Sequence, residues 1–265
     1  MLFRSRMLVE RSTNVSAQNK DGSTALHLTL ENGHVDLAQM LAEHGADVSA
    51  QNKDGSTALH LASRKGHVDL AWILIERGTN LSARNKDGST ALHLASWNGH
   101  VDLARMLVEH GADPSAQNKD GSTALYFPSW NGHVDLAQML VERGADVSAQ
   151  NKDGWTALHL ASRKGHVDLA WMLVEHGADV SAQNKDGSTA LHLASRNGHV
   201  DLARMLVERG ADVSAQKKDG STALHLASWN GHVDLARMLV EHSTNMAPEA
   251  TSQIATTTCV RVHAE

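Results

Sequence analysis

The chain has 265 residues, a formal net charge of −6 and a single cysteine, Cys259. An acidic balance without a run of Lys and Arg argues against nucleic acid as the main partner, because binding to phosphates needs clustered positive charge. One cysteine excludes an internal disulfide and suits a reducing compartment, and no stretch approaches the roughly 18 apolar residues of a membrane span. We therefore expect an intracellular protein without a membrane segment, in the cytoplasm or else in the nucleus.

One sequence of 33 residues recurs through most of the chain. Its clearest copy, residues 87–119, reads DGSTALHLASWNGHVDLARMLVEHGADPSAQNK. A fixed period of this length is typical of stacked supersecondary units, each too small to bury its own apolar surface. We expect the array to occupy residues 21–245, as repeats one to seven, which begin at Asp21, Asp54, Asp87, Asp120, Asp153, Asp186 and Asp219.

Residues 1–20 match only the second half of a repeat. The segment Arg6–Arg11 reads like Arg105–His110, and Val15–Lys20 reads like the turn that follows that helix. A stacked array normally ends in a unit with a polar outer face, and these residues provide none. We interpret residues 1–20 as a partial repeat, with a second helix and a turn, that results from truncation of a longer array or from an imperfect gene model.

The sequence of each repeat predicts a turn followed by a short helix. In repeat three, Asn85 and Gly88 occupy the first and fourth positions that a type I turn prefers. Thr90 then stands where a helix N-cap belongs, before a helix over residues 91–98 that ends at Gly99. The junctions between repeats are therefore expected to be tight, projecting turns.

A second helix is predicted over about residues 101–110, with Gly111 as its C-terminal cap. Asp102, Arg105 and Glu109 form one polar stripe, and the other positions are apolar over an arc too wide for a single neighbour. Such a helix pair hides its apolar surface only between two copies of itself. The sequence therefore predicts an all-α solenoid of stacked helix-turn-helix units.

The run GSTALHL at 88–94, the pair Gly99-His100 and the sequence HGAD at 110–113 closely resemble the ankyrin repeat. The usual Thr-Pro-Leu-His of that family reads Thr-Ala-Leu-His here. The resemblance covers residues 1 to about 245. It implies a solenoid of helix pairs with projecting β-turn loops, and a concave face that holds other proteins.

Two segments depart from the pattern. In repeat four, Tyr126-Phe127-Pro128 replaces His-Leu-Ala, and Pro128 is expected to kink or fray the first helix, since proline costs about 3 kcal/mol in a helix interior. Repeat four is thus predicted to be the weakest. From Ser243 the repeat dissolves, and residues 246–265, rich in Thr, Ser and Ala, are expected to be a disordered tail.

Histidine is abundant, with 18 residues, but its placement does not predict a metal or catalytic site. Apart from His263, each histidine recurs at one of three repeat positions, those of His93, His100 and His110, and is thereby spread along the array. No HExxH motif, Cys/His cluster or phosphate-binding glycine loop accompanies them. We expect the imidazoles to bond turns and helix ends of adjacent repeats, and we expect no cofactor and no metal.

The candidate binding residues are positions at which the repeats differ. One such position lies near the end of the first helix, two residues before the glycine that follows it, and holds Glu, Arg or Trp in different repeats. In ankyrin-like proteins this position faces the concave surface. Trp and Arg commonly anchor interfaces. The alternative interpretation is that these tryptophans only pack against neighbouring repeats. With a tryptophan at a turn tip added, the candidate protein-binding residues are Arg64, Trp97, Trp130, Trp155, Arg163, Arg196 and Trp229.

Two further tryptophans, Trp72 and Trp171, fall on the polar stripe of the second helix. They are either a second contact surface or isolated exposed apolar residues, and the sequence favours neither.

These patterns predict a non-catalytic scaffold that binds a protein partner, and not an enzyme. The alternative is the C-terminal recognition region of a larger signalling ATPase receptor, because long arrays of near-identical ankyrin repeats resemble such regions. An enzyme in its own right would need one repeat to carry a catalytic cluster, and Tyr126-Phe127-Pro128 is not one.

Overall fold

The computed structural model describes residues 14–244. Residues 1–13 of the partial repeat and the whole of the 246–265 segment lie outside the described residues. The chain divides at Lys152 and Asp153 into an N-terminal part with repeats one to four and a C-terminal part with repeats five to seven.

The N-terminal part consists of helix pairs, one pair per repeat. Among its described residues, 14–152, the helices are α1 Ala25–Asn32, α2 Val35–Glu43, α3 Ala58–Lys65, α4 Val68–Glu76, α5 Ala91–Trp97, α6 Val101–Glu109, α7 Tyr126–Asn131 and α8 Val134–Glu142.

The C-terminal part repeats the same arrangement. Its helices are α9 Ala157–Lys164, α10 Val167–Glu175, α11 Ala190–Asn197, α12 Val200–Glu208, α13 Ala223–Trp229 and α14 at 233–244. Residues 14–244 contain no strand, so the predicted all-α class and the helix-turn-helix units are confirmed.

Like helices stack on like helices within each part. First helices contact first helices, as α3 does with α1 and α5, and second helices contact second helices, as α4 does with α2 and α6. The core is made of small and branched aliphatic residues, and in α6 Leu103, Ala104 and Leu107 are fully buried. Asp102 and Arg105 on the same helix are exposed, as the predicted polar stripe requires.

The predicted N-cap of the first helix is present, and a histidine completes it. In α3 the hydroxyl of Thr57 accepts the N–H of His60, and the imidazole of His60 accepts the N–H of Thr57 in return. This reciprocal pair is a capping box in which histidine replaces the usual Glu or Gln. Gly66 ends α3 in the left-handed conformation, with φ of 77°.

The turns are also as predicted, and they join consecutive repeats. The N–H of Gly88 donates to the carbonyl of Asn85 at 2.9 Å, and the Asn85 side chain accepts the N–H groups of Asp87 and Ser89. The carbonyl of Asp87 then accepts the N–H of Lys119, one period later, at 2.9 Å. Each turn is therefore bonded to the next through its backbone.

The expectation that Pro128 lies in a helix interior is wrong. In repeat four the helix α7 begins at Tyr126, so Pro128 is its third residue and lies in the first turn. The reason is that proline has no N–H to donate to Ala124, and a first helical turn needs none. A tight turn from the Tyr126 N–H to the Thr123 carbonyl, at 3.1 Å, precedes the helix, so the expected fraying is seen as a helix that is shortened at its start.

Candidate functional site

Six of the seven candidate residues lie in the last turn of a first helix, and Trp155 lies in the turn that precedes α9. Their exposure differs. Trp97 is 56% exposed and Trp229 is 90% exposed, whereas Trp130 and Trp155 are half-buried. The three arginines Arg64, Arg163 and Arg196 are exposed. One structural position thus carries large, accessible side chains in every repeat from two to seven.

Trp97 both packs and remains accessible. Its ring meets the ring of Phe127 edge-on, with centroids 5.1 Å apart and an interplanar angle of 65°. Phe127 is buried and also contacts the rings of His93 and Tyr126. The packing interpretation and the interface interpretation therefore both apply to Trp97, because about half of its surface stays exposed.

Arg64 is matched by an acid from the preceding repeat. Its guanidinium lies 3.2 Å from the carboxylate of Glu31, which occupies the same helix position one period earlier. Both side chains are about half exposed, and an exposed pair of this kind contributes at most about 1 kcal/mol. This arginine is therefore a weaker candidate than Arg196, for which no ion pair is found among residues 14–244.

In the C-terminal part three of the candidates come together. The guanidinium of Arg163 lies over the ring of Trp155, with its carbon 5.4 Å from the ring centroid. Trp155, Arg163 and Arg196 line one groove of about 210 Å³, whose floor includes the buried Asn184. Lys217 also lines it, and sequence reasoning missed this residue. The available signal was that the other repeats have Asn at this position.

Trp229 lies apart from that groove, at the last described repeat. It borders an open hollow of about 520 Å³ together with Leu224, His225 and Ser228. The equivalents of His225 and Ser228 in repeat three, His93 and Ser96, are fully buried beneath the following repeat. Trp229 is consequently exposed by its place in the array.

Trp72 and Trp171 are 45% and 49% exposed on their second helices. The ring of Trp72 meets the imidazole of His110 in the next repeat edge-on, with centroids 5.2 Å apart. Trp72 therefore makes a packing contact between repeats in addition to its exposed surface.

Histidines at the position of His93 link one repeat to the next. The Nδ1 atom of His93 lies 2.8 Å from the Thr90 hydroxyl, and its Nε2 atom lies 3.0 Å from the carbonyl oxygen of Ser122. Burial lowers the pKa of His93 below its ordinary value, against the opposing effect of the Ser122 carbonyl. The same direction and the same first cause apply to His27, His60, His159 and His192.

The other two sets of histidines bond helix ends. His100 reaches the carbonyl of Arg64 at the end of the preceding repeat's first helix, at 3.3 Å, whereas His110 bonds the Met106 carbonyl of its own helix at 2.8 Å. These imidazoles therefore have a structural role, and the hydrogen bond of His110 stays within its own repeat while its ring contacts Trp72 of the preceding repeat. Across residues 14–244 no group of three His, Cys, Asp or Glu side chains is arranged to hold a metal ion. None of the helices in this range is both long and apolar enough to cross a membrane.

Comparison with known families agrees with the paired helices. The family model described as ankyrin repeats (3 copies) matches residues 5–85, 77–151, 116–184, 143–217 and 181–250. No curated protein matches the chain significantly. The chain therefore belongs to the ankyrin-repeat family, whose repeats are generally protein–protein interaction modules and typically non-catalytic.

Proposed function

We propose that this chain is a non-catalytic scaffold that binds a protein partner. The binding surface is the concave face, formed by the ends of the first helices and the adjacent turn tips. The observation that carries the proposal is the row of accessible Arg and Trp side chains at a position that varies from repeat to repeat. Variation at one exposed position on an otherwise repetitive frame is how such arrays obtain a specific surface without changing the fold.

The contacts of the histidines support the non-catalytic part of the proposal. A general base needs access to its substrate and a pKa near the working pH. The buried imidazoles instead use both ring nitrogens for bonds within the frame, and burial lowers their pKa. The alternative, a recognition region of a larger signalling ATPase, would use the same surface and stays a prediction.

Affinity capture from native lysate tests the proposal. The chain is compared with a variant in which Trp97, Trp130 and Trp229 are changed to Ser, after both are shown to be equally helical and similarly stable. We expect a specific partner to be held by the unchanged chain and lost by the variant.

The matched control changes Trp72 and Trp171 to Ser, which removes exposed tryptophan from the second helices. We expect this control to keep the partner. If the control loses the partner and the first variant keeps it, the binding surface lies on the second helices and the proposed surface is wrong. If no variant or unchanged chain captures a specific protein, the scaffold proposal itself fails.

A further inference from the structure

The C-terminal part gathers several side chains that are unusual in the array. Trp155 stands where the other six repeats have Ser, and Lys217 stands where the other turns have Asn. Arg163 and Arg196 are the only two cations that follow each other at the variable helix position, which reads Glu31, Arg64, Trp97, Trp130, Arg163, Arg196 and Trp229. The fold brings all four of the unusual side chains to the groove of about 210 Å³.

The residues that line this groove include more positive than negative side chains. Arg163, Arg196 and Lys217 line it, against the single carboxylate of Asp186. Lys217 is paired with Asp219, 3.1 Å from its Nζ atom. The guanidinium of Arg196 has no carboxylate within ion-pair distance among residues 14–244, in contrast to Arg64, which is neutralised by Glu31. The groove therefore has an exposed positive charge beside a flat aromatic wall.

The size and the surroundings select the occupant. A volume of about 210 Å³ is below the roughly 300–1,000 Å³ of small-molecule pockets, so the groove has room for one or two side chains. The turn tips beside it carry Asp153, Asp186 and Asp219, which repel a long polyanion such as a nucleic acid. One isolated carboxylate, by contrast, reaches the guanidinium of Arg196 without crossing that row.

We infer that this groove holds a single Asp or Glu side chain from a peptide segment of the protein partner. Arg196 receives the carboxylate, because a guanidinium offers two parallel N–H donors to the two carboxylate oxygens. Trp155, held in place by the Arg163 guanidinium, packs against the adjoining apolar part of the peptide. The inference rests on the proposed function and specifies the chemistry of the partner for one part of the surface.

Selection from a library of random heptapeptides on the full chain tests the inference. The expected result is enrichment of Asp or Glu at one position beside an apolar residue. Replacing that acid by its amide in a selected peptide is expected to weaken binding by about tenfold or more, because the charge-assisted bonds are lost.

Three variants of the chain are designed to keep the fold. Arg196→Glu places the residue that repeat one has at this position, and Trp155→Ser and Lys217→Asn restore the residues of the other repeats. The matched control Arg204→Glu makes the same charge change on an exposed position of α12. We expect Arg196→Glu and Trp155→Ser to lose the selected peptide, and Arg204→Glu to keep it.

Several results would overturn the inference. These are enrichment without a preference for acids, equal loss in Arg196→Glu and Arg204→Glu, and no enrichment of any peptide. None of these results contradicts the proposed function. Capture of a partner by the surface that carries Trp97, Trp130 and Trp229, here called the tryptophan face, is measured separately with intact proteins. If capture fails and acidic peptides still bind the groove, the proposed tryptophan face is wrong and the groove is a binding site by itself.

Discussion

The Nε2 atom of His93 lies 3.0 Å from the carbonyl oxygen of Ser122, a residue of the next repeat. On the other side of the ring, Nδ1 accepts the backbone N–H of Thr90 at 3.2 Å. An atom that accepts this N–H carries no proton itself, so the proton of the neutral ring lies on Nε2 and is donated to Ser122. One imidazole thus closes the start of its own helix and bonds the following repeat.

Replacing this link is expected to destabilise the array. His93→Ala leaves the buried Ser122 carbonyl without its donor and removes half of the capping box, and we expect a loss of at least about 2 kcal/mol. His225→Ala makes the same change in repeat seven, where the ring is exposed and no following repeat lies within the described residues. Urea unfolding of both variants measures the difference. Equal losses would show that the Ser122 bond contributes nothing.

Stability is expected to fall in mild acid. Burial lowers the pKa of His27, His60, His93, His159 and His192 below the value of 6.5. Below about pH 6.5 the unfolded chain therefore binds protons that the folded chain does not, and the free energy of unfolding decreases as the pH falls. The part of the free energy of unfolding that depends on these neutral imidazoles is fully present above that pH.

Thermal unfolding between about pH 7.5 and about pH 5.5 measures this dependence. Carboxylates contribute to any such profile, so the comparison is with a variant in which His60, His93 and His159 are changed to Gln. We expect the variant to be less stable at neutral pH and to have a shallower slope. An unchanged slope would mean that these imidazoles are not the groups that titrate.

The glycine of the turn provides a test of stacking between repeats. Gly88 and Gly220 have similar positive φ angles, 73° and 79°, so alanine costs about 1–2 kcal/mol of backbone strain at either position. A Cβ atom at Gly88 would also lie 2.8 Å from the backbone nitrogen of Lys119, whereas at Gly220 it meets nothing within 4 Å. We expect Gly88→Ala to lower the unfolding midpoint more than Gly220→Ala. The reverse order would contradict the close approach of consecutive turns.

Repair of repeat four is expected to raise stability. Tyr126→His with Pro128→Ala restores the capping box and the missing N–H, so that the first helix begins at Ala124 as it does in the other repeats. We expect a gain of about 1–2 kcal/mol in the free energy of unfolding, measured in urea. Adding Phe127→Leu is expected to lower the free energy of unfolding below that of the double variant, because the ring contacts with Trp97 and His93 are lost. A double variant no more stable than the original chain would show that the shortened helix has no cost.

Much of the fold can be predicted from the sequence because residues within each repeat determine where its helices and turns begin and end. The N-cap at Thr90, the left-handed Gly99 that follows the same helix and the turn at Asn85 depend on neighbours in the sequence, and the structure has them as predicted. The position of Pro128 in its helix differs from the prediction for a physical reason. The repeat pattern predicts a helix start at Ala124, whereas proline moves the start to Tyr126 because it has no N–H to donate.

The candidate site was less accessible to sequence reasoning. Spacing alone identified the variable positions, but their partners lie one period away and depend on how consecutive repeats stack. The edge contact of Trp97 with Phe127 and the stacking of Arg163 on Trp155 are of this kind. Lys217 was overlooked because a change from Asn to Lys in a turn looks neutral until its side chain is placed beside Arg196.

The backbone bond from Lys119 to Asp87 uses no side-chain atoms, and the same bond joins Lys185 to Asp153 and Lys218 to Asp186. If 33 consecutive residues inside either part are removed, the two turns that are then joined have the same geometry. Gene recombination between copies therefore keeps the backbone bonds between consecutive turns. What such an event alters is the order of the variable side chains. Loss of repeat five or of repeat six would remove Arg163 or Arg196, so a single genetic step can change the proposed binding surface while the backbone bonds between turns are kept.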